Sequence, residues 1–296
     1  MKLKTYNNAL NTQDFSITSE IFLRPDTDET AIEVQADILR ESVDAILVTD
    51  NQSGQLHMSS LSAGILLQKV NIDPIVQLSC RNRNRISLLS DLLGCAALGI
   101  NNLMLTRGDR VPLEFKPRPK AIMDVNATEL IALANNLKQD EILPSDNQFL
   151  LGGVVTPFSP KQGWPAKNLT EKIDAGAQFV ITHTCLDIDV IQTYMQRLIE
   201  TQLLRRMHVI IGTAILKSPE DARWLRENRP NVNIPADAVE RLEKASDPNQ
   251  EGIKMCAEHL RKLATTPGIS GAHIIATNSV LNIPEAVTLS GVYKPN

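Results

Sequence analysis

Eight short runs rich in β-branched and apolar residues recur along the chain, each followed by a longer stretch with helical spacing. They are residues 15–22 (FSITSEIF), 45–49 (AILVT), 75–79 (IVQLS), 102–106 (NLMLT), 149–155 (FLLGGVV), 179–182 (FVIT), 209–212 (VIIG) and 273–276 (HIIA). Runs such as VIIG and FVIT are apolar without alternation, as in strands covered on both faces, so a parallel sheet is expected. Eight strand–helix units make up a closed (β/α)8 TIM barrel of the α/β class. The alternative, an open doubly wound sheet, lacks its phosphate-binding GxGxxG or GxxxxGK[ST] turn here.

The intervening stretches support that reading. The first helix opens at PDTDET, where Asp26 and Glu29 have capping-box spacing, and places Ala31, Val34 and Ile38 on one face. Residues 85–98, 129–137, 190–203 and 219–227 follow the same logic, and 235–264 reads as two helices broken at SDPNQ. No linker rich in Gly, Ser or Pro divides the chain, so residues 1–296 are expected to form a single domain.

Composition narrows the function classes. With 43% hydrophobic residues the chain can bury a full core, and 30 basic against 34 acidic side chains give a formal net charge of -4. That balance argues against nucleic acid and anionic membrane as main partners. The run Arg81-Asn82-Arg83-Asn84-Arg85 reads as a strand-to-helix turn, because no aromatic residues are interleaved with it. The opening segment has no apolar signal-like core and no stretch approaches the roughly 18 apolar residues of a membrane span, so a soluble, cytoplasmic protein is expected. Cys80, Cys95, Cys185 and Cys256 lack CxxC spacing and the five histidines are dispersed, which predicts reduced thiols and no bound metal.

In a closed barrel the reactive residues stand at the C-terminal ends of the strands. Those ends carry Glu20; Thr49, Asp50 and Asn51; Ser79, Cys80 and Arg81; Thr106, Arg107, Gly108 and Asp109; Thr156 and Pro157; His183; and Thr277 and Asn278. Glu20 lies in an apolar strand, where desolvation would raise its pKa and suit it to donate a proton. A salt-bridged acid at the rim is the other reading. The tripeptide Arg107-Gly108-Asp109 presents a cation and an anion around a flexible residue, or forms an ordinary polar turn. His183 is either a site residue at the mouth or a structural imidazole.

Several segments together resemble the methylenetetrahydrofolate reductase family, in the branch that can be joined to a homocysteine methyltransferase. They are SEIF, VTDNQSG, the long segment 80–109, the pair Met123 and Asp124, KIDAGAQFVITH followed by Asp187, NVNIP and ATN, in family order from about residue 19 to 278. The resemblance implies a flavin-dependent oxidoreductase of one-carbon metabolism. It would interconvert 5,10-methylenetetrahydrofolate and 5-methyltetrahydrofolate with FAD and with NADH or NADPH as co-substrate, as a homo-oligomer.

Position by position, it makes Glu20 and Asp109 the catalytic residues, with Glu20 as general acid and Asp109 near both flavin and folate. It assigns flavin binding to Thr49, Arg107, Gly108, Asp109, Asn168 and Lys172, and folate contact to Glu20, Asp109 and His183. The chain departs from the family at Asn82, where CRDRN is usual; at His183, in place of a glutamine; at Leu186, in place of an aromatic; and around Thr156, where an aromatic flavin partner is lacking. A flavin-independent folate-binding or methyl-transferring barrel and a non-catalytic paralogue are the alternatives.

Overall fold

The structure, a computed structural model, describes residues 5–12, 15–113, 115–140, 142–143, 147, 149–229, 231–277 and 279–293. Parallel strands β1 (Ser16–Glu20), β2 (Ala45–Val48), β3 (Pro74–Ser79), β4 (Asn102–Thr106), β5 (Leu150–Val155), β6 (Phe179–Thr182), β7 (His208–Ile215) and β8 (Gly271–Ala276) close into a barrel in chain order. β8 returns to β1 with Thr18 opposite His273, which leaves the sheet no open edge. The expected (β/α)8 barrel is the fold.

Around it run α1 (Tyr6–Thr12), α2 (Glu29–Leu39), α3 (Ser60–Lys69), α4 (Arg85–Ala97), α5 (Ala127–Gln139), α6 (Lys167–Asp174), α7 (Ile188–Thr201), α8 (Pro219–Asn228), α9 (Ala236–Lys244), α10 (Pro248–Thr265) and α11 (Ile283–Ser290). The break inside 235–264 falls just before Asp247, whose carboxylate caps α10 by accepting from Gln250 N–H at 3.1 Å. α1, α3, α6 and α11 lie outside the helices that the spacing marks.

The first crossover helix differs from its sequence pattern. Its cap is Asp28, which accepts from Ala31 N–H at 2.8 Å, and not Asp26. Ile32, Ala36 and Leu39 form its buried face while Val34 is 55% exposed. Moving the buried stripe by one residue turns the helix by about 100°, and packing against the strands, which buries the bulkier set, decides between the two registers.

Period-two alternation divides each strand between two cores. Leu47, Ile75, Met104, Leu150, Phe179 and Ile210 fill the barrel interior, joined by Tyr6 and Leu10 of α1. The Tyr6 ring meets Phe179 edge-on at 5.7 Å, so α1 plugs one end of the barrel. Outward residues such as Ile17, Ile46 and Val180 pack under the helices. With one end plugged, ligand space remains at the other. No helix among the described residues is long and apolar enough to cross a membrane.

Candidate active site

The strand ends open into a cavity of about 990 Å³, at the upper end of the range for small-molecule sites. Glu20 at the end of β1, Thr49 after β2, and Arg107, Gly108 and Asp109 after β4 all line it. Asn168 and Lys172 reach it from α6, and His183 from the residue after β6. Residues from 20 to 183 thus meet on one wall system because a closed parallel barrel brings every strand terminus to the same rim. Asn278 lies outside the described residues.

Glu20 stands where protein surrounds it, and desolvation raises its carboxyl from the ordinary value of 4.5 to about 7. The positive charge of Arg229 works in the opposite direction. The group therefore exchanges a proton near neutral pH, as a general acid requires.

The carboxylate of Asp50 takes a different role from its neighbours in the strand-end series. It turns from the cavity and accepts from the Ser79 N–H and hydroxyl at 2.8 and 2.6 Å. Arg83 pairs with it at 2.6 Å and with Asp91 at 2.7 Å. Arg81, 1% exposed, donates to the carbonyls of Asp50, Asn51 and Asp109. Its Nε donates to Asn82 Oδ1 at 3.1 Å, so the amide that replaces the family's carboxylate keeps the acceptor and loses the charge. The RNRNR segment is thus a clamp between β3 and α4 that fixes the loops after β2 and β4.

Gly108 sits inside that clamp at φ +86°, where an added Cβ would stand 2.9 Å from the Cβ atoms of both Ser79 and Arg81. Both conformation and space demand glycine there. This holds Arg107 and Asp109 outward at the exposed rim, and Asp109 Oδ2 accepts from Ser53 N–H at 2.7 Å.

His183 Nδ1 lies 2.9 Å from Thr156 Oγ1, across neighbouring strand ends. Burial lowers its pKa, with Asp109 and the Val155 backbone opposing, so the ring is neutral at pH 7. Thr156 is therefore the partner that orients this imidazole. Phe158, two residues beyond Thr156, packs on Trp164 at 5.2 Å and Tyr194 at 5.9 Å. Leu186 turns away from the mouth and packs with the outer cluster of Leu216 and Leu225.

Sequence reasoning missed other members of the wall: Ser53, Gln77, Arg229 and His273. Gln77 lies two residues before Ser79 and donates to Thr106 Oγ1 at 3.1 Å. His273, in β8, sits 3.0 Å from Thr18 Oγ1 and is driven down to about 4 by burial. A polar residue within a strand was the available signal for both. Arg229 ends α8 and had no local signal. Among the described residues no group of three or more His, Cys, Asp or Glu side chains is placed to hold a metal.

Fold and site together define a closed (β/α)8 barrel whose large mouth, lined by apolar side chains and several polar groups, bears a near-neutral carboxyl, the arrangement of a small-molecule site of this fold. The sequence profile of the methylenetetrahydrofolate reductase family matches residues 5–291, and the chain belongs to that family. A Caenorhabditis elegans protein named probable methylenetetrahydrofolate reductase (NADPH) is 22% identical over 244 residues, covering 80% of this chain. The chain spans 35% of the length of that relative.

Among solved structures, a Clostridium thermocellum protein described as binding two copies of 5-methyl-5,6,7,8-tetrahydrofolic acid superposes with a TM-score of 0.66 at 13% identity, over 96% of each chain. Oxaloacetate acetylhydrolase, in complex with 3,3-difluorooxalacetate, gives a TM-score of 0.51 at 9% identity, over 97% of this chain and 82% of its own. At these identities the likeness is one of fold.

Proposed function

We propose that this chain is a flavin-dependent oxidoreductase interconverting 5,10-methylenetetrahydrofolate and 5-methyltetrahydrofolate with NADH or NADPH. The observation that carries the reading is Glu20, a carboxyl raised to about 7 in a cavity shared with Asp109 and His183. The family match and the names of the two folate-linked relatives support it.

The residues present fit a flavin nucleotide. Arg107 and the buried Lys172, whose ammonium burial disfavours, line the cavity, and no carboxylate pairs with either among the described residues. Such cations suit phosphate oxygens. Thr49, Gly108 and Asn168 offer a hydroxyl, a backbone N–H and an amide to the rest of the cofactor. When bound, a flavin supplies hydride transfer between nicotinamide and the methylene carbon.

The chain's own groups do the remaining work. Opening the five-membered ring of methylenetetrahydrofolate requires a proton at the ring nitrogen, and Glu20 holds one near neutral pH. Asp109 places a negative charge at the rim, where it favours cationic or hydrogen-bond-donating groups of the ligand. His183, oriented by Thr156, offers one donor and one acceptor where an amide would offer both on one side chain.

A flavin-independent folate-binding or methyl-transferring barrel is the second reading, favoured by the histidine at 183. The visible spectrum of purified protein incubated with FAD separates the two. Bound-flavin bands that bleach with NADPH and return with methylenetetrahydrofolate support the oxidoreductase. A protein that binds 5-methyltetrahydrofolate yet takes up no flavin overturns it.

A further inference from the structure

A second cavity, of about 120 Å³, lies between the end of β7 and helices α9 and α10. No residue lines both it and the mouth. Leu186, Ala214, Leu216, Ala238 and Met255 give it apolar walls, and His259 joins them from α10. The space is far more than a single water needs, and a little below the roughly 150 Å³ of an apolar cavity that takes up benzene.

His259 is 7% exposed, and its Nε2 is buried without a hydrogen-bond partner among the described residues. Burial, helped by the charge of Lys262, drives its pKa down to about 4 against the opposing hydrogen bond to the Cys185 backbone. At pH 7 the ring is therefore neutral, with one N–H and one lone pair. The Cys185 carbonyl takes the N–H, which leaves Nε2 a buried acceptor with nothing to accept from. The lining charges cancel, since Asp237 and Glu258 stand with Arg241 and Lys262. The Arg241 guanidinium is already occupied by Glu251 at 2.5 Å and by both oxygens of Glu258 at 2.6 and 2.9 Å. Nothing in the lining therefore calls for an ion.

The small cavity and the mouth back onto the same three segments. His183 and Thr184 line the mouth while Leu186 lines the small cavity; Gly212 is followed by Ala214 and Leu216 in the same way, and Asn231 and Val232 by Pro235 and Ala238. Backbone hydrogen bonds tie these segments into one layer: Cys185 N–H donates to Gly212 at 2.9 Å, Leu186 N–H to Asn233 at 2.8 Å, and Asn233 N–H to Thr184 at 2.9 Å.

We propose that this second cavity is a binding site for a compact, neutral molecule carrying one hydrogen-bond donor on an apolar body, which donates to His259 and acts on His183 through the shared wall. The site is independent of the folate reading.

The test is titration of the purified protein with pyrazole, a neutral ring with one N–H, followed through the ring nitrogen resonances of the five histidines. Isoxazole, a ring of the same size without a donor, and acetate are the controls. Pyrazole should shift His259 Nε2 and, with the same midpoint, the His183 ring, and should bind about fivefold to tenfold tighter than isoxazole, as one added hydrogen bond implies. His259→Phe keeps a flat ring without the acceptor and should erase that preference. Ala238→Leu, which fills the cavity from α9, should abolish both responses and serves if His259→Phe fails to fold. Equal binding of pyrazole and isoxazole, tighter binding of acetate, or no response at His259 at all, as expected of ordered water only, overturns the site. A response at His183 that survives Ala238→Leu places pyrazole in the mouth and overturns it too. A shift at His259 with His183 unmoved overturns the link between the two cavities.

Discussion

Ser53 N–H donates to the carboxylate of Asp109 at 2.7 Å, joining the loop after β2 to the loop after β4 across the mouth. Asp109 is therefore both a wall residue and a strut. Asp109→Asn keeps an oxygen able to accept from Ser53 and removes the charge, so the fold should survive the exchange. The reduction potential of bound flavin should rise, because a negative charge that opposes build-up of electrons is gone. An unchanged potential with unchanged folate kinetics, measured by dye equilibration and turnover, would remove Asp109 from the site.

Glu20→Gln should leave reduction of the flavin by nicotinamide largely intact and lower folate turnover roughly a hundredfold or more. Stopped-flow comparison of the two half-reactions decides this, and equal loss in both assigns Glu20 a structural role.

The same carboxyl makes a stability prediction. Its folded pKa is raised from 4.5 to about 7, so between those values the folded chain holds a proton that the unfolded chain releases. Glu20 therefore costs no stability below the lower value, and stability falls as pH rises through the window. Glu20→Gln should flatten this slope in urea titrations at several pH values, with the variant more stable than wild type above the window.

His183 has its pKa lowered by burial, so folate binding should titrate below the ordinary imidazole value of 6.5. On acidification the ring gains charge and binding changes. His183→Gln should remove that dependence and leave an active protein. Superimposable pH profiles of folate binding for the two proteins would defeat the contact.

Asp50 carries a load unrelated to chemistry. Its side chain is 2% exposed and pairs with Arg83, and deleting one member of a buried pair typically costs about 3–5 kcal/mol. Asp50→Ala should show a loss of this order in urea unfolding. Because the clamp also fixes the β4 loop, ligand affinity should fall with it.

The barrel was legible because its cause is local: apolar runs without alternation, each followed by helical spacing, admit few closures. The family segments likewise pointed to Glu20, Thr49, Arg107, Gly108, Asp109, Asn168, Lys172 and His183, all of which line one cavity. Tertiary structure alone decided which face of α2 is buried, since stripes one residue apart satisfy the same period and only the strands beneath choose between them. It also decided that Asp50 belongs to a clamp while Asp109 faces the mouth, although both follow strands. Arg229 stands 209 residues beyond Glu20 and lines the same cavity only because the barrel closes, with β8 returning to β1. A charge's environment is set by what the fold places around it, and no spacing along the chain records that.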